Sequence, residues 1–102
     1  MGKDILVKQP CVYILTNKRH GTLYIGVTSD LAKRIWEHKN GVVDGFTKTH
    51  GLHLLVYAEP HETMEGAIQR EKQLKKWNRN WKINLIQSLN EDWHDLYSEL
   101  CG

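Results

Sequence analysis

The chain has 102 residues, a formal net charge of +2 and 40% hydrophobic residues. That length fits one domain with a modest core, and so small a charge does not by itself identify a nucleic-acid binder. Cys11 and Cys101 lie near opposite ends without C-x-x-C spacing, which argues against a disulfide scaffold or a zinc site and fits a reducing cytoplasm. No apolar run reaches the length of a membrane span, and the opening MGKDILVKQP carries no signal-peptide core. The expectation is a cytoplasmic protein with no membrane partner.

The β-branched and aromatic run CVYILT after Pro10 predicts a strand, and TLYIGVT predicts a second. Between them, Asn17, Lys18, Arg19, His20 and Gly21 suit a hairpin turn. A four-residue loop over Asn17–His20 puts Tyr13 directly opposite Tyr24, with both rings on one face. A slip of one residue would part them. SDLAKRIWEHKNG reads as a helix capped by Ser29 or Asp30 and stopped by Gly41. Leu31 and Ile35 mark its core stripe, and Arg34 and His38 share one edge of it. Those two side chains either cover apolar surface or belong to a site.

GVVDGFTKTHG reads as a loop with three glycines, and LHLLVYAE as a third strand ending before Pro60. A helix follows over about 63–78, with Met64, Ala67, Ile68 and Leu74 as its apolar stripe. Glu71 falls near the centre of that stripe, where a lone carboxylate is costly. Either it pairs with a core-facing cation such as Arg34, or it holds a metal. Lys72, Lys75, Lys76 and Arg79 fall within one arc bordering the same stripe. They read either as a track for a phosphate backbone or as a solvated face. Trp77 and Trp81 read as core in preference to base-stacking platforms. WKINLIQSLNEDWHDLYSEL offers one or two further amphipathic helices, with Asn90 at the break. No repeat or linker divides the chain, so residues 1–102 read as one domain with a core over about 9–97.

VYI at 12–14, YIG at 24–26, LAKRIWEH with Arg34, REKQLKKW with Glu71 and then NEDWHDLY form an ordered set. That set resembles the GIY-YIG nuclease domain. More narrowly, it resembles small stand-alone members related to the N-terminal domain of the bacterial excision-repair incision subunit. The resemblance implies an α+β fold, a three-stranded antiparallel sheet packed with helices. It also implies hydrolysis of DNA phosphodiesters, RNA not being excluded, with one divalent metal per site, Mg²⁺ or Mn²⁺. By motif match, Tyr13 and Tyr24 position or deprotonate the attacking water. Arg34 neutralises the scissile phosphate, Glu71 holds the metal, and His38 assists Tyr13. Gly26 would let the backbone turn tightly beneath the site, and Asn90 aligns loosely with a site asparagine.

Two departures stand out. Cys11 replaces the first motif glycine, and Val27 follows YIG where the repair subunit has lysine. The missing charge would fall to Lys33, Lys39 or Lys48. A free tyrosine has a pKa of about 10, and a guanidinium, a metal and an imidazole nearby would ease its ionisation; otherwise the phenols only orient the water. Three functions stay open at this point. One is a metal-dependent DNA endonuclease directed to branched or damaged structures. Another is a catalytically weak nucleic-acid-binding module on the same fold. The third is an interaction domain that forms a homodimer or docks a partner through the C-terminal aromatic helices.

Overall fold

The computed structural model describes residues 9–43 and 45–101. The reading of a leaderless N-terminus and the outer limits of the domain lie outside the described residues.

Three strands form one antiparallel sheet in the order β2-β1-β3, with β1 Cys11–Thr16, β2 Leu23–Thr28 and β3 Leu54–Pro60. All six residues of β1 are buried. As the central strand it must be apolar on both faces, which the unbroken run CVYIL satisfies. Side chains alternate. Val12 and Ile14 join Ile25, Val56 and Tyr57 in one core beneath α3 (Met64–Lys76) and α4 (Arg79–Leu89), which contribute Ala67, Leu74 and Ile86. Cys11, Tyr13 and Leu15 join Leu31 and Ile35 of α1 (Leu31–Lys39) on the other face, where Leu96, Tyr97 and Cys101 also pack. Helix α5 (Tyr97–Leu100) completes that layer.

The expected strands are present, but the hairpin register differs. Tyr13 pairs with Gly26 and Tyr24 with Leu15, because Thr16 pairs with Leu23 and six residues form the loop. The shift from the expected pairing is two residues, so both tyrosines keep a common face. Strand β3 runs through Pro60, which the edge position tolerates because proline there leaves no inner donor unpaired. A bulge between Ile14 and Leu15 on the β3 side leaves Val56 as the extra residue, so Val56 and Tyr57 both reach the first core.

Helix α1 is capped as expected. The Asp30 side chain accepts from the Lys33 amide, and Gly41 follows the C-cap at φ 67°. The glycine-rich segment is not wholly loop. Phe46–His50 forms a short helix, α2, stopped by Gly51 in the left-handed region. Five residues are too few to display a helical period, which is why the pattern conceals it. Helix α4 ends at Asn90, the expected break.

No helix among the described residues is long and apolar enough to cross a membrane.

Candidate active site

Tyr13 is 2% exposed, and its hydroxyl lies 3.0 Å from His38 Nε2. His38 is also buried, and its Nδ1 lies 3.1 Å from Thr47 Oγ1. Strand β1, helix α1 and helix α2 therefore contribute one member each to a buried polar chain. One internally consistent proton assignment has Nδ1–H donating to Thr47 and Nε2 accepting from the Tyr13 hydroxyl. Thr47 did not emerge from the sequence, since it lies in the segment read as loop. The flanking Gly45 and Gly51 were its available signal.

Gly26 is the neighbour that makes this arrangement fit. It lies inside β2, not at a turn, and a Cβ built there would stand 2.4 Å from Tyr13 Cζ and 2.5 Å from its hydroxyl oxygen. The glycine of YIG thus clears space for the phenol, which corrects the expectation of a tight turn.

Burial is the main force pushing the Tyr13 phenol well above its usual range. The proximity of Tyr24 and the Glu71 charge push the same way, and the Arg34 guanidinium opposes them. Without a bound cation, water exclusion outweighs the guanidinium, so Arg34 alone does not ease the ionisation of Tyr13. His38 is lowered, first by burial and then by Arg34, with Glu37 opposing. The resting pair is a neutral phenol beside a neutral imidazole.

Tyr24 lies against this pair, and the charges of Arg34 and Glu71 act on Tyr13. The Tyr24 ring centroid is 6.3 Å from that of Tyr13 and 5.8 Å from that of His38. Arg34 is 41% exposed and makes only a loose contact of 3.6 Å with Glu37. It lines an open depression of about 450 Å³ with Thr28, Ser29, Asp30, Lys33 and Glu37. Glu71 does not pair with Arg34. Its Oε2 meets Lys75 Nζ at 2.9 Å, one turn along the same helix. Arg34 and Glu71 come from helices on opposite faces of the sheet, yet the charges of both act on Tyr13.

The remaining expected residues divide. Lys72 and Lys76 line a shallow surface depression with Gln69 and Gln73, while Lys75 is tied to Glu71. Arg79 leaves the strip, because its guanidinium donates to the carbonyls of His20 and Gly21 at 2.5 and 2.7 Å and staples α4 to the hairpin loop. Asn90 is buried and structural. Its amide nitrogen donates to the Val56 and His94 carbonyls, and its oxygen accepts from the His94 amide. Lys39 is occupied by Asp95 and the His53 carbonyl. Lys33 and Lys48 both have exposed side chains. Trp77 packs against the core, but Trp81 is 56% exposed, which corrects the reading of both as core.

Among the described residues no three His, Cys, Asp or Glu cluster as a metal centre. Glu71 nevertheless suits a hard cation. It is a carboxylate whose side chain is only 14% exposed, and the lysine it meets among the described residues is exposed and flexible enough to swing away. Mg²⁺ takes oxygen ligands and often uses one or two carboxylates while keeping several waters.

A YIG strand whose glycine admits a buried tyrosine, with an arginine and a glutamate carried by flanking helices, is the arrangement of a known nuclease fold. The GIY-YIG catalytic domain matches residues 9–84, and the chain belongs to that family. Nucleic acid is accordingly the substrate class of the fold, whose members generally use divalent metals. Its relatives include UPF0213 protein CPE1444 of Clostridium perfringens, 44% identical over 77 residues that cover 76% of this chain and 82% of that protein. UPF0213 protein SSP2268 of Staphylococcus saprophyticus is 39% identical over 75 residues, covering 74% and 90%. The solution NMR structure of UPF0213 protein BH0048 from Bacillus halodurans superposes with a TM-score of 0.54 at 28% identity, covering 85% of this chain and 92% of that one.

Proposed function

We propose that this protein is a divalent-metal-dependent endonuclease that hydrolyses DNA phosphodiesters, acting on branched, flapped or damaged structures. The observation that carries the reading is the buried Tyr13–His38–Thr47 chain, with Arg34 and Glu71 close enough for their charges to act on Tyr13.

The chemistry follows from the protonation states. A water that donates a hydrogen bond to the Tyr13 oxygen attacks phosphorus. As the new O–P bond forms, the water's proton passes to the Tyr13 oxygen and the phenol's own proton moves to His38 Nε2. The bond from phosphorus to the leaving oxygen breaks, and that oxygen takes a proton from solvent. Tyr13 thus acts without a preformed phenolate, which its burial would oppose. The lowered His38 is the acceptor, and Thr47 holds its Nδ1–H so that Nε2 faces Tyr13. Arg34 offsets charge that grows on the phosphoryl oxygens. Tyr24 orients the water. A cation held by Glu71 would supply further positive charge to the phosphate and the leaving group.

Nicking of supercoiled plasmid with and without Mg²⁺ tests the reading. Expected are Mg²⁺-dependent nicking by the wild type and none by Glu71→Gln, whose affinity for DNA is equal or slightly tighter. Cleavage by Glu71→Gln at the wild-type rate, or by the wild type in chelator, removes the metal role. A panel of single-stranded, duplex, flap and junction substrates then identifies the preferred structure.

A further inference from the structure

Helix α2 presents a feature that the hydrolytic chemistry does not use. Phe46, at its first position, is 48% exposed, although a phenylalanine gains most by burial. Its ring lies nearly parallel to Tyr24, at 25° and 6.4 Å between centroids, and its neighbour one turn on, His50, lies 4.2 Å away. Tyr24 in turn contacts Tyr13 and His38. A continuous row of rings therefore runs from the buried phenol outward to a half-bare aromatic at the surface. The next residue along α2 is Thr47, which holds His38. Occupancy at Phe46 and alignment of the proton chain thus share one five-residue helix.

We propose that Phe46, backed by Tyr24 and His50, is a stacking platform for one unpaired nucleobase beside the scissile phosphate. Its ligand class is a single-stranded or splayed nucleic-acid strand. This deepens the nuclease reading and rests on it. Every base has a π face, so such a platform tolerates any sequence. In an intact duplex those faces are already stacked, and exposing one requires unstacking and unpairing. The platform therefore favours flaps, junction arms and unpaired ends over continuous duplex.

The test uses the full-length protein in chelator, which prevents cleavage, and oligonucleotides carrying 2-aminopurine, whose fluorescence falls on stacking. The wild type should bind the single strand and quench the probe at one position. Phe46→Leu keeps the apolar bulk of the helix start but removes the π face. It should abolish quenching and weaken single-strand binding about 5- to 150-fold. Phe46→Trp should restore both. An abasic site at the quenched position should remove the difference between wild type and Phe46→Leu. DNA and RNA strands of one sequence show whether the sugar matters. Undiminished quenching by Phe46→Leu, or an equal loss on abasic and duplex substrates, overturns the platform while leaving the nuclease reading intact. A wild type with no salt-dependent affinity for any nucleic acid overturns both.

Discussion

Tyr13 and Tyr57 are buried tyrosines on neighbouring strands and opposite faces of the sheet. Burial raises both phenols, Tyr57 to about 12. What differs is the partner. The Tyr57 hydroxyl donates to Glu59 Oε2 at 2.7 Å, while Glu59 also receives Arg70 and His61. Burial alone would raise the Glu59 carboxyl, but the bonds from Arg70, Tyr57 and His61 outweigh it and leave that carboxyl lowered. Glu59 is thus a weak base, and its proton traffic is closed. Tyr13 faces a neutral imidazole, which can take a proton and return it. A raised pKa is common to both sites; a partner able to accept the proton is what separates them, and the proposed reaction uses only the site that has one.

The largest expected effect comes from exchanging the two hydroxyls for hydrogen. Tyr13→Phe should slow single-turnover cleavage by about 10²–10⁴ and also lose about 1–2 kcal/mol, since it leaves the buried His38 Nε2 without its partner. Tyr57→Phe should cleave normally and lose about 1–2 kcal/mol in urea unfolding, since it deletes a hydrogen bond to a charged acceptor. Equal rate losses in both variants would break the comparison. Arg34→Ala should follow, at about 10²–10³ in rate, and stay folded because its contact with Glu37 is long and its side chain half-exposed. Near-normal turnover by the folded variant would remove Arg34 from the reaction.

The pH profile sharpens the comparison. His38 must be neutral to accept the proton, and its pKa is lowered in the fold. The rate should therefore hold down to about pH 6.5, the free value, and fall about tenfold per unit below the depressed value. Stability moves the same way: the unfolded chain binds a proton there that the folded one resists, so stability falls as pH drops through about 6.5. His38→Gln should lose the acid limb of the residual rate; an unchanged limb would assign it to another group. The smallest effect concerns the basic residues. Lys72→Ala or Lys76→Ala should flatten the log–log salt dependence of duplex binding by about one unit. Arg79→Ala should leave the slope alone and lower the melting temperature, because its guanidinium serves the hairpin loop.

The long elements were legible because period and caps repeat over many residues. Pro10, the two β-rich runs, Asp30, Gly41 and Asn90 all punctuate the chain as read. The hairpin register was not, since NKRHGT contains no two-residue turn signal and a six-residue loop is chosen by strand packing. Face parity survived because the error was even. Arg79 misled for a different reason: a helical wheel shows only its own helix, and the carbonyls that hold this guanidinium belong to residues 20 and 21. At the site, the ordered motifs pointed to Tyr13, Tyr24, Arg34, His38 and Glu71. Thr47 and Phe46 were signalled only by the flanking Gly45 and Gly51, because α2 is too short for periodicity and His38 and Tyr24 are distant in sequence.

Strand β3 lies at the edge of the sheet, and a bare edge invites pairing between molecules. Here the polypeptide blocks its own edge. The Leu55 amide donates to Asp95 Oδ1, the Leu55 carbonyl accepts from the Leu96 amide, and the Val56 carbonyl accepts from Asn90. The three residues that do this lie beyond residue 84, where the family match ends. A version trimmed to the matched segment would retain Tyr13, His38, Arg34 and Glu71 and still present an unguarded strand to its neighbours. Loss of these C-terminal contacts should show first as self-association in light scattering.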